Sequence, residues 1–215
     1  MIGVLALQGN FDSHIKILKK INLKHKLVKT SDDLSSVDGL IIPGGESTTI
    51  TNLLRKNQSL IDGINKLSKN KPILGSCAGL ILMSKESNDS RVHNFAFLDV
   101  ITCRNAYGRQ VHSFEAKINV KNDLVSSDID VLFIRAPKID KINIKNHKTK
   151  SDIDVLFIRA PKIDKVNNGV EVLATYQEEV VAVRQGKHIG ISCHPELLDE
   201  TLIHEICFKG KNEIS

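Results

Sequence analysis

Cys77 lies in the middle of Gly75-Ser76-Cys77-Ala78-Gly79, where a glycine stands two residues to either side of the cysteine. This is the form of a nucleophile elbow, a tight turn between a strand and a helix, with cysteine in place of serine. We expect the turn to expose the sulfur near the positive end of the following helix, which favours the reactive thiolate. The alternative is a buried cysteine that serves only as a small hydrophobic residue.

The stretch CHPE at residues 193–196 supplies the other groups that a cysteine nucleophile needs. His194 is a candidate general base and acid. Glu196 follows on the same side of an extended chain, where its carboxylate can orient the imidazole and stabilise its charged form. The alternative is a surface pair before the last helix. In combination with the glycine-flanked cysteine, the pair predicts nucleophilic catalysis.

A third candidate element is PGGES, residues 43–47. Two glycines at the end of a strand can present backbone N–H groups to an anion or to a developing oxyanion. Glu46 can bind the ammonium group of a small amino-acid substrate. The alternative is an ordinary loop with a helix cap at Ser47. The three elements together make the case for an active site.

Apolar runs of strand length alternate with helical patterns in the first half of the chain, as in IGVLAL, GLIIPGG and PILGSC. Runs that are apolar throughout are typical of strands covered by helices on both faces. Closely spaced strand patterns in the second half predict antiparallel hairpins or edge strands. We therefore expect a three-layer α/β fold, with helices on both faces of a mostly parallel sheet and antiparallel additions. Both glycine turns fall at carboxyl ends of predicted strands, where such sheets bind ligands.

Composition limits the remaining possibilities. With 41% hydrophobic and 26% charged residues, the 215-residue chain is ordinary for a globular protein, so we expect one domain over residues 1–215. No apolar run is long enough to span a bilayer and the start lacks the pattern of a signal peptide, so we expect a cytoplasmic protein without membrane contact. The four cysteines form no Cys-x-x-Cys pair, and the scattered lysines have few aromatic residues among them. Neither a metal site nor a nucleic-acid partner is therefore expected.

One feature of the sequence has no explanation from packing. SDIDVLFIRAPKIDK occurs at residues 127–141 and again, unchanged, at residues 151–165. Solenoid repeats recur several times and diverge, so this single unchanged copy indicates a local tandem duplication and not a repeat architecture. Two identical strand segments can compete for one position in a sheet, and we expect conformational heterogeneity around residues 127–165.

GSCAG, the late HPE and the early PGGEST together resemble class I glutamine amidotransferases, whose Cys-His-Glu triad hydrolyses the side-chain amide of glutamine. More narrowly, the chain is similar to the family of glutaminase subunits of pyridoxal 5′-phosphate synthase. The motifs that carry this resemblance cover nearly the whole chain and occur in the order LQGN, DGLIIPGGESTT, GSCAGLILMSK, RNAYGRQ, SFEA, FIRAP and HPEL.

The resemblance implies a role for each candidate catalytic residue. Cys77 would attack the carboxamide of L-glutamine, and His194 would protonate the departing ammonia and then activate water. Glu196 would orient His194, while the backbone N–H groups of Gly45 and Ala78 would hold the oxyanion. The family chemistry implies no cofactor and no metal.

The resemblance also implies a set of residues that bind glutamine: Gly45, Glu46, Ser47, Arg104 and the Ile-Arg pair of FIRAP. An arginine suits the α-carboxylate because its planar fork matches a carboxylate. Since FIRAP occurs in both copies, the pair is either Ile158 and Arg159 or Ile134 and Arg135. We expect Ile158 and Arg159, because INIKNHKTK after the first copy resembles an inserted polar loop.

A partner subunit is implied as well. In the family, the glutaminase delivers ammonia to a barrel-shaped synthase subunit that builds pyridoxal 5′-phosphate from a pentose phosphate and a triose phosphate. Binding of that subunit activates the glutaminase, so we expect the isolated chain to be a poor enzyme. The resemblance places the first helix and the LQGN turn at or near this interface.

Two residues depart from the family pattern, and two alternative functions remain open. Cys193 stands where the family commonly has an aromatic residue, and His112 where an acidic residue is expected before SFEA. One alternative is a glutaminase that feeds another synthase, such as that of histidine biosynthesis, although RNAYGRQ and FIRAP argue against it. The other is a non-catalytic binding or regulatory homologue whose pocket is spoiled by the duplicated strand.

Overall fold

The computed structural model describes residues 1–104, 113–121, 126–134 and 160–209 of the chain. The strands are β1 Ile2–Leu5, β2 His25–Val28, β3 Gly39–Ile42, β4 Ile73–Ser76, β5 Ser84–Ser87, β6 Leu98–Cys103, β7 Phe114–Lys121, β8 Ser126–Phe133, β9 Lys162–Val166, β10 Glu171–Tyr176, β11 Glu179–Gln185 and β12 His188–Ile191. The α-helices are α1 Phe11–Lys20, α2 Ser47–Arg55, α3 Gln58–Ser68, α4 Ala78–Met83 and α5 Leu202–Phe208.

A seven-stranded sheet in the order β10-β11-β12-β4-β3-β1-β2 forms the centre of the molecule. The strands from β12 to β2 are mutually parallel, and β11 and β10 extend the sheet antiparallel at one edge. Strands β1, β3, β4 and β12 are neighbours, so the loops after them meet at one edge of the sheet. This is where α/β sheets bind their ligands.

Two apolar clusters cover the two faces of this sheet. Leu40 and Ile42 of β3 belong to one cluster and Ile41 between them to the other, as the alternation of strand side chains requires. Helices α2, α3 and α4 pack in the first cluster, whereas α1, α5 and the β7–β8 hairpin pack in the second. The predicted three-layer fold, mostly parallel with antiparallel additions, is therefore confirmed.

The sequence predicts a helix over AGLILMSKE after Cys77 and a final helix from about Leu197 to Cys207, and both predictions need correction. The helix after Cys77 ends at Met83, and the predicted residues beyond it form β5, which pairs with β6 in a separate three-stranded sheet. The final helix is also not continuous from Leu197. A 3₁₀ turn over Pro195–Leu198 ends at Asp199, whose left-handed backbone (φ 58°) redirects the chain before α5 begins. In both places a local backbone change overrides a continuous helical pattern of apolar residues.

The two copies of the duplicated segment contribute to different strands. The first copy forms β8 and pairs with β7, and its Ile129, Val131 and Phe133 are buried in the second cluster. The end of the second copy forms β9, which pairs with β6. The N–H of Ala160 donates to the carbonyl of Ile134 at 2.7 Å, which joins the two copies.

Candidate active site

Cys77 occupies a tight turn between β4 and α4. Its φ of 50° and ψ of −102° form a conformation that residues other than glycine rarely adopt. A side chain at Gly79 would overlap the carbonyl oxygen of Ile42, and one at Gly75 would lie 2.6 Å from the carbonyl carbon of Gly79. Only glycines at these positions let α4 pack directly on the neighbouring strand. The turn predicted from their spacing is confirmed.

The expectation that this turn exposes the sulfur is wrong. Cys77 is 0% exposed. Its N–H donates to the carbonyl of Ile191 at 2.8 Å, which ties the turn to the end of β12. The turn is enclosed because β4 lies between β3 and β12, and the segments that follow both neighbours pack beside it.

His194 and Glu196 follow β12 and are both buried. Nδ1 of His194 lies 2.7 Å from Oε1 of Glu196, because the 3₁₀ turn that begins at Pro195 brings the carboxylate back to the imidazole. In the described part of the chain, Nε2 of His194 has no hydrogen-bond partner of ordinary geometry. Glu196 thus holds the imidazole at Nδ1, and Cys77 lies beside the same ring.

The charges of this group stabilise one another. Burial by itself lowers the pKa of His194, but the Glu196 carboxylate and then Cys77 beside it raise the pKa to about 10. Burial raises the pKa of Glu196, but His14 and His194 lower it to about 2. The site therefore favours a protonated His194 paired with the Glu196 carboxylate near neutral pH. The structure brings together the three residues that the sequence proposed as catalytic.

Cys193 is a second thiol beside the same histidine. It is buried within the apolar cluster that contains α1 and α5. Burial, followed by the charge of Glu196, raises the pKa of the Cys193 thiol, so it stays protonated. Cys193 is therefore a core residue and does not compete with Cys77 as a nucleophile.

The turn after β3 packs against the imidazole. A side chain at Gly44 would overlap Cε1 of His194, so only glycine leaves room for the ring. The N–H of Gly44 donates to Oγ of Ser76 at 3.0 Å, and the carbonyl of Gly44 accepts from the N–H of Asn10 at 2.9 Å. These bonds connect the segments that follow β1 and β3 to the end of β4, so that Gly45 and Ala78, the first residue of α4, lie next to residues that contact the catalytic group.

Glu46, not Ser47, caps α2. Its carboxylate accepts from the N–H groups of Thr48 at 3.2 Å and Thr49 at 2.5 Å. The Ser47 hydroxyl is instead buried without a hydrogen-bond partner among the described residues. Burial raises the pKa of Glu46, but its hydrogen bonds to Thr48 and Thr49 lower it overall. Glu46 is thus an anion, and Ser47 has a hydroxyl available for a ligand.

Arg104 links Glu46 to a second acidic residue. Its Nη2 donates to Oε1 of Glu46 at 2.9 Å, and its Nη1 forms an ion pair with Asp89. Asp89 also accepts from Nε of Arg91 at 2.9 Å. A cation and an anion therefore stand side by side on the segments near the triad, as recognition of an amino-acid zwitterion requires.

Several residues singled out from the sequence lie outside the described part of the chain. Of the glutamine-binding candidates in the duplicated segment, Ile134 lies at the end of β8, whereas Ile158, Arg159 and Arg135 lie outside the described residues, as does His112. The sequence reasoning missed Asp89, and it missed His14 and His204, which lie behind Glu196. No local signal marks these residues, because each is a single polar residue in an otherwise ordinary segment.

Neither a metal site nor a membrane span emerges from the described residues. They contain no cluster of three or more histidine, cysteine or acidic side chains able to hold a metal ion. None of the helices within the described ranges has the length and apolar character needed to cross a bilayer.

The chain matches one family model in two overlapping segments. The SNO glutamine amidotransferase family matches residues 4–154 and again residues 141–209. The overlap falls within the region that contains the duplication. Together the two segments extend over nearly the whole chain.

Individual relatives agree with this match. The chain is 41% identical over 212 residues to the pyridoxal 5′-phosphate synthase subunit PdxT of Oenococcus oeni, covering 99% of this chain and 97% of the relative. It is 42% identical to the protein of the same name from Thermoplasma acidophilum, covering 95% and 89% of the two chains. A crystal structure of a glutamine amidotransferase has a TM-score of 0.79 at 34% identity and covers 98% of each chain.

Proposed function

Because this chain belongs to the SNO glutamine amidotransferase family, we propose that it is a glutaminase that hydrolyses L-glutamine to L-glutamate and ammonia through Cys77, His194 and Glu196. The observation that carries the assignment of residues is the His194 imidazole. Its Nδ1 is bound to Glu196, and its Nε2 has no partner with ordinary hydrogen-bond geometry in the described structure. Cys77 lies beside the same ring. This is the arrangement that a cysteine nucleophile with a histidine acid and base requires.

The first half of the reaction forms a thioester. The Cys77 thiolate attacks the carboxamide carbon, and the C–S bond forms as the carbonyl oxygen becomes an oxyanion. Backbone N–H groups of Gly45 and Ala78 stabilise that charge. The C–N bond then breaks, and the departing nitrogen takes the proton on Nε2 of His194 and leaves as ammonia. The raised pKa of His194 means that this proton is already in place.

The second half releases glutamate. Nε2 of the now neutral His194 takes a proton from water, and the resulting hydroxide attacks the thioester carbon. Collapse of this intermediate breaks the C–S bond and restores the Cys77 thiolate. Glu196 keeps the imidazole oriented and compensates its charge in both halves, since its carboxylate stays ionised throughout.

The substrate is held through its zwitterionic end. The carboxylate of Glu46 binds the α-ammonium group, and the guanidinium of Arg104 binds the α-carboxylate. Their mutual ion pair at 2.9 Å keeps the two charges at the separation of neighbouring groups on one carbon. The Ser47 hydroxyl, buried without a partner in the described chain, completes the polar contacts. The Ile-Arg pair of one FIRAP copy contributes further contacts.

We further propose that the chain works as the ammonia-supplying subunit of pyridoxal 5′-phosphate synthase in the cytoplasm. Its relatives bear the name of that synthase subunit. The complete burial of Cys77 supports activation by the partner, because the isolated chain encloses the nucleophile that glutamine must reach. A nucleophile that must remain a free thiol is also suited to a reducing compartment.

The test is glutamate release from glutamine by the purified chain, with and without the synthase subunit encoded in the same genome. We expect hydrolysis only with that subunit, and none from Cys77→Ala. A glutamine-analogue diazoketone should label the Cys77 peptide at least tenfold faster in the complex. A complex that forms but releases no glutamate would instead support the non-catalytic alternative, and activation only by a different synthase subunit would redirect the assignment.

A matched variant separates the two thiols beside His194. Cys193→Ala should keep labelling at Cys77 and glutamate release within about threefold of the unmodified complex, because Cys193 only packs in the core. If Cys193→Ala abolished labelling in a protein that remained folded, Cys193 and not Cys77 would be the nucleophile.

A further inference from the structure

A second polar cluster lies directly behind the catalytic group, and the mechanism above does not use it. It consists of His14 on α1, Ser76 at the end of β4 and His204 on α5, each 0–1% exposed. Burial of three polar side chains is costly unless they bond one another or a functional group. The cluster contacts Glu196, and its Ser76 directly precedes Cys77.

His14 is the centre of this cluster. Its Nε2 lies 3.1 Å from Oγ of Ser76, the residue before Cys77, and 3.6 Å from Oε1 of Glu196. That carboxylate oxygen is the one bound to His194. On the other side of the ring, Nδ1 of His14 lies 2.8 Å from Nε2 of His204. His14 therefore contacts both Ser76, which is next to Cys77, and Glu196, which orients His194.

The contacts decide where the protons lie. If His204 donates from Nε2 to Nδ1 of His14, then His14 carries its proton on Nε2 and directs an N–H toward Glu196 and Ser76. The opposite arrangement would face a lone pair toward the carboxylate of Glu196. It would also bury an N–H at Nδ1 of His204, which has no hydrogen-bond partner among the described residues. A buried unpaired donor is rarer than a buried unpaired acceptor, so the first arrangement is favoured.

Both histidines of the cluster are neutral. Burial is the dominant influence on His14 and lowers its pKa, although Glu196 opposes it. Burial lowers the pKa of His204 to about 3. The titratable groups that act on the two histidines from outside the cluster are Glu196 and His194. The pair thus orients a hydrogen bond without adding a charge.

We propose that His14 is a positioning residue for the glutaminase reaction. Its Nε2–H, oriented by His204, fixes the Glu196 carboxylate relative to the Ser76–Cys77 turn, so that His194 meets the sulfur at the correct angle. This inference rests on the proposed function, because it assigns His14 a part in that same reaction. Among the described residues, the polar contacts of His14 are with Ser76, Glu196 and His204 and not with Glu46, Ser47 or Arg104, so we expect it to act on the rate and not on substrate affinity.

The test compares three variants in complex with the synthase subunit. His14→Phe keeps a planar ring and removes the N–H, whereas His14→Gln returns an amide N–H near the position of Nε2. We expect kcat to fall about 10- to 100-fold in His14→Phe, with KM for glutamine within twofold, and to recover at least fivefold in His14→Gln. His204→Phe leaves His14 in place but removes its orienting donor, and it should also lower kcat at unchanged KM.

The control is His188→Gln, a change at a half-buried histidine at the opposite end of β12 from His194, which should leave kcat and KM unchanged. If His14→Phe does not fold, His204→Phe decides the question. Wild-type kcat in His14→Phe or His204→Phe, or equal losses in His14→Phe and His14→Gln, overturns the positioning role while the proposed function stands. A wild-type complex that releases no glutamate overturns the proposed function itself, and the inference with it.

A readout without turnover tests the same geometry. In protein labelled with ¹⁵N histidine, the resting His14 ring should show a protonated Nε2 and an unprotonated Nδ1. A proton on Nδ1 instead would direct a lone pair at Glu196 and overturn the proposed orientation. This measurement needs neither the partner nor glutamine, so it separates the geometry of His14 from the success of the enzyme assay.

Discussion

The N–H of Ala160 and the carbonyl of Ile134 are joined by a hydrogen bond of 2.7 Å, although 135–159 lie between them in the sequence. The chain therefore leaves the end of β8 and returns to the same place before β9 begins. Ile134 belongs to the first copy of the duplicated segment and Ala160 to the second. Each copy supplies only part of the path from β8 to β9, so one complete copy is enough to form both strands.

We therefore expect that deletion of residues 135–158 leaves the fold and the glutaminase activity intact. The product joins Ile134 to Arg159 and is the same sequence whichever copy is regarded as the additional one. Shortening the connection between β8 and β9 by this many residues lowers the entropy cost of bringing the two strands together, by about 1–3 kcal/mol. Urea unfolding should show that gain in stability, and the labelling rate of Cys77 should not change.

The matched control keeps the number of residues between β8 and β9. Replacement of residues 142–150, which separate the copies, by a glycine-serine sequence of equal length should change stability by less than about 0.5 kcal/mol. A deletion variant that is less stable than the full chain, or that no longer releases glutamate in the complex, would show that both copies are needed.

Gly44 sets the position of the catalytic imidazole. Because a side chain there would overlap Cε1 of His194, we expect Gly44→Ala to displace the ring and reduce kcat by about 100-fold, the effect typical of a misplacement near 1 Å. The control is Gly63→Ala on α3, where the added methyl group comes close only to the end of the Leu34 side chain, with Ser31 at ordinary contact distance. Steady-state kinetics of both complexes should separate them, and an active Gly44→Ala would mean that His194 has room to move.

Arg104 tests the proposed substrate site. Arg104→Gln removes a charge-assisted contact with the α-carboxylate of glutamine, so KM should rise about 10- to 100-fold with a smaller change in kcat. The matched control is Arg91→Gln, because Arg91 binds the same Asp89 but its side chain is 75% exposed. If both changes raised KM equally, the effect would come from loss of the ion pair with Asp89 and not from loss of a contact between Arg104 and glutamine.

The sequence is sufficient to predict some parts of this site and not others, for physical reasons. The turn at Cys77 is predictable because the two glycines that permit it are local to it. The sheet is predictable because strands covered on both faces must be apolar throughout. The burial of Cys77 is not, since it depends on Gly44 and His194, which are distant in sequence and meet only in the folded protein.

The same reasoning explains the residues that were missed. His14 and His204 are 190 positions apart and each lies on a helix whose pattern is otherwise ordinary, so nothing local links them. The copy that forms β8 could not be assigned from the sequence, for a different reason. Because residues 127–133 and 151–157 are identical, no propensity or pattern can favour one over the other for the β8 position. Only the connections on either side distinguish them.

The buried His204 makes a last prediction about stability and pH. Its folded pKa of about 3 lies below the ordinary histidine value of 6.5, so the unfolded chain binds more protons than the folded chain between pH 3 and pH 6.5. Stability must then fall as the pH decreases below 6.5, by about 1.4 kcal/mol per pH unit for one proton. His204→Phe removes this group, so its unfolding free energy should fall less steeply between pH 6 and pH 4, by roughly that amount per unit. Leu202→Ala, also buried on α5 but without a titratable group, should lower stability and keep the wild-type slope. Urea unfolding of the three proteins at intervals over that range measures the slopes, and a slope for His204→Phe equal to that of the wild type would show that His204 is already protonated in the folded state.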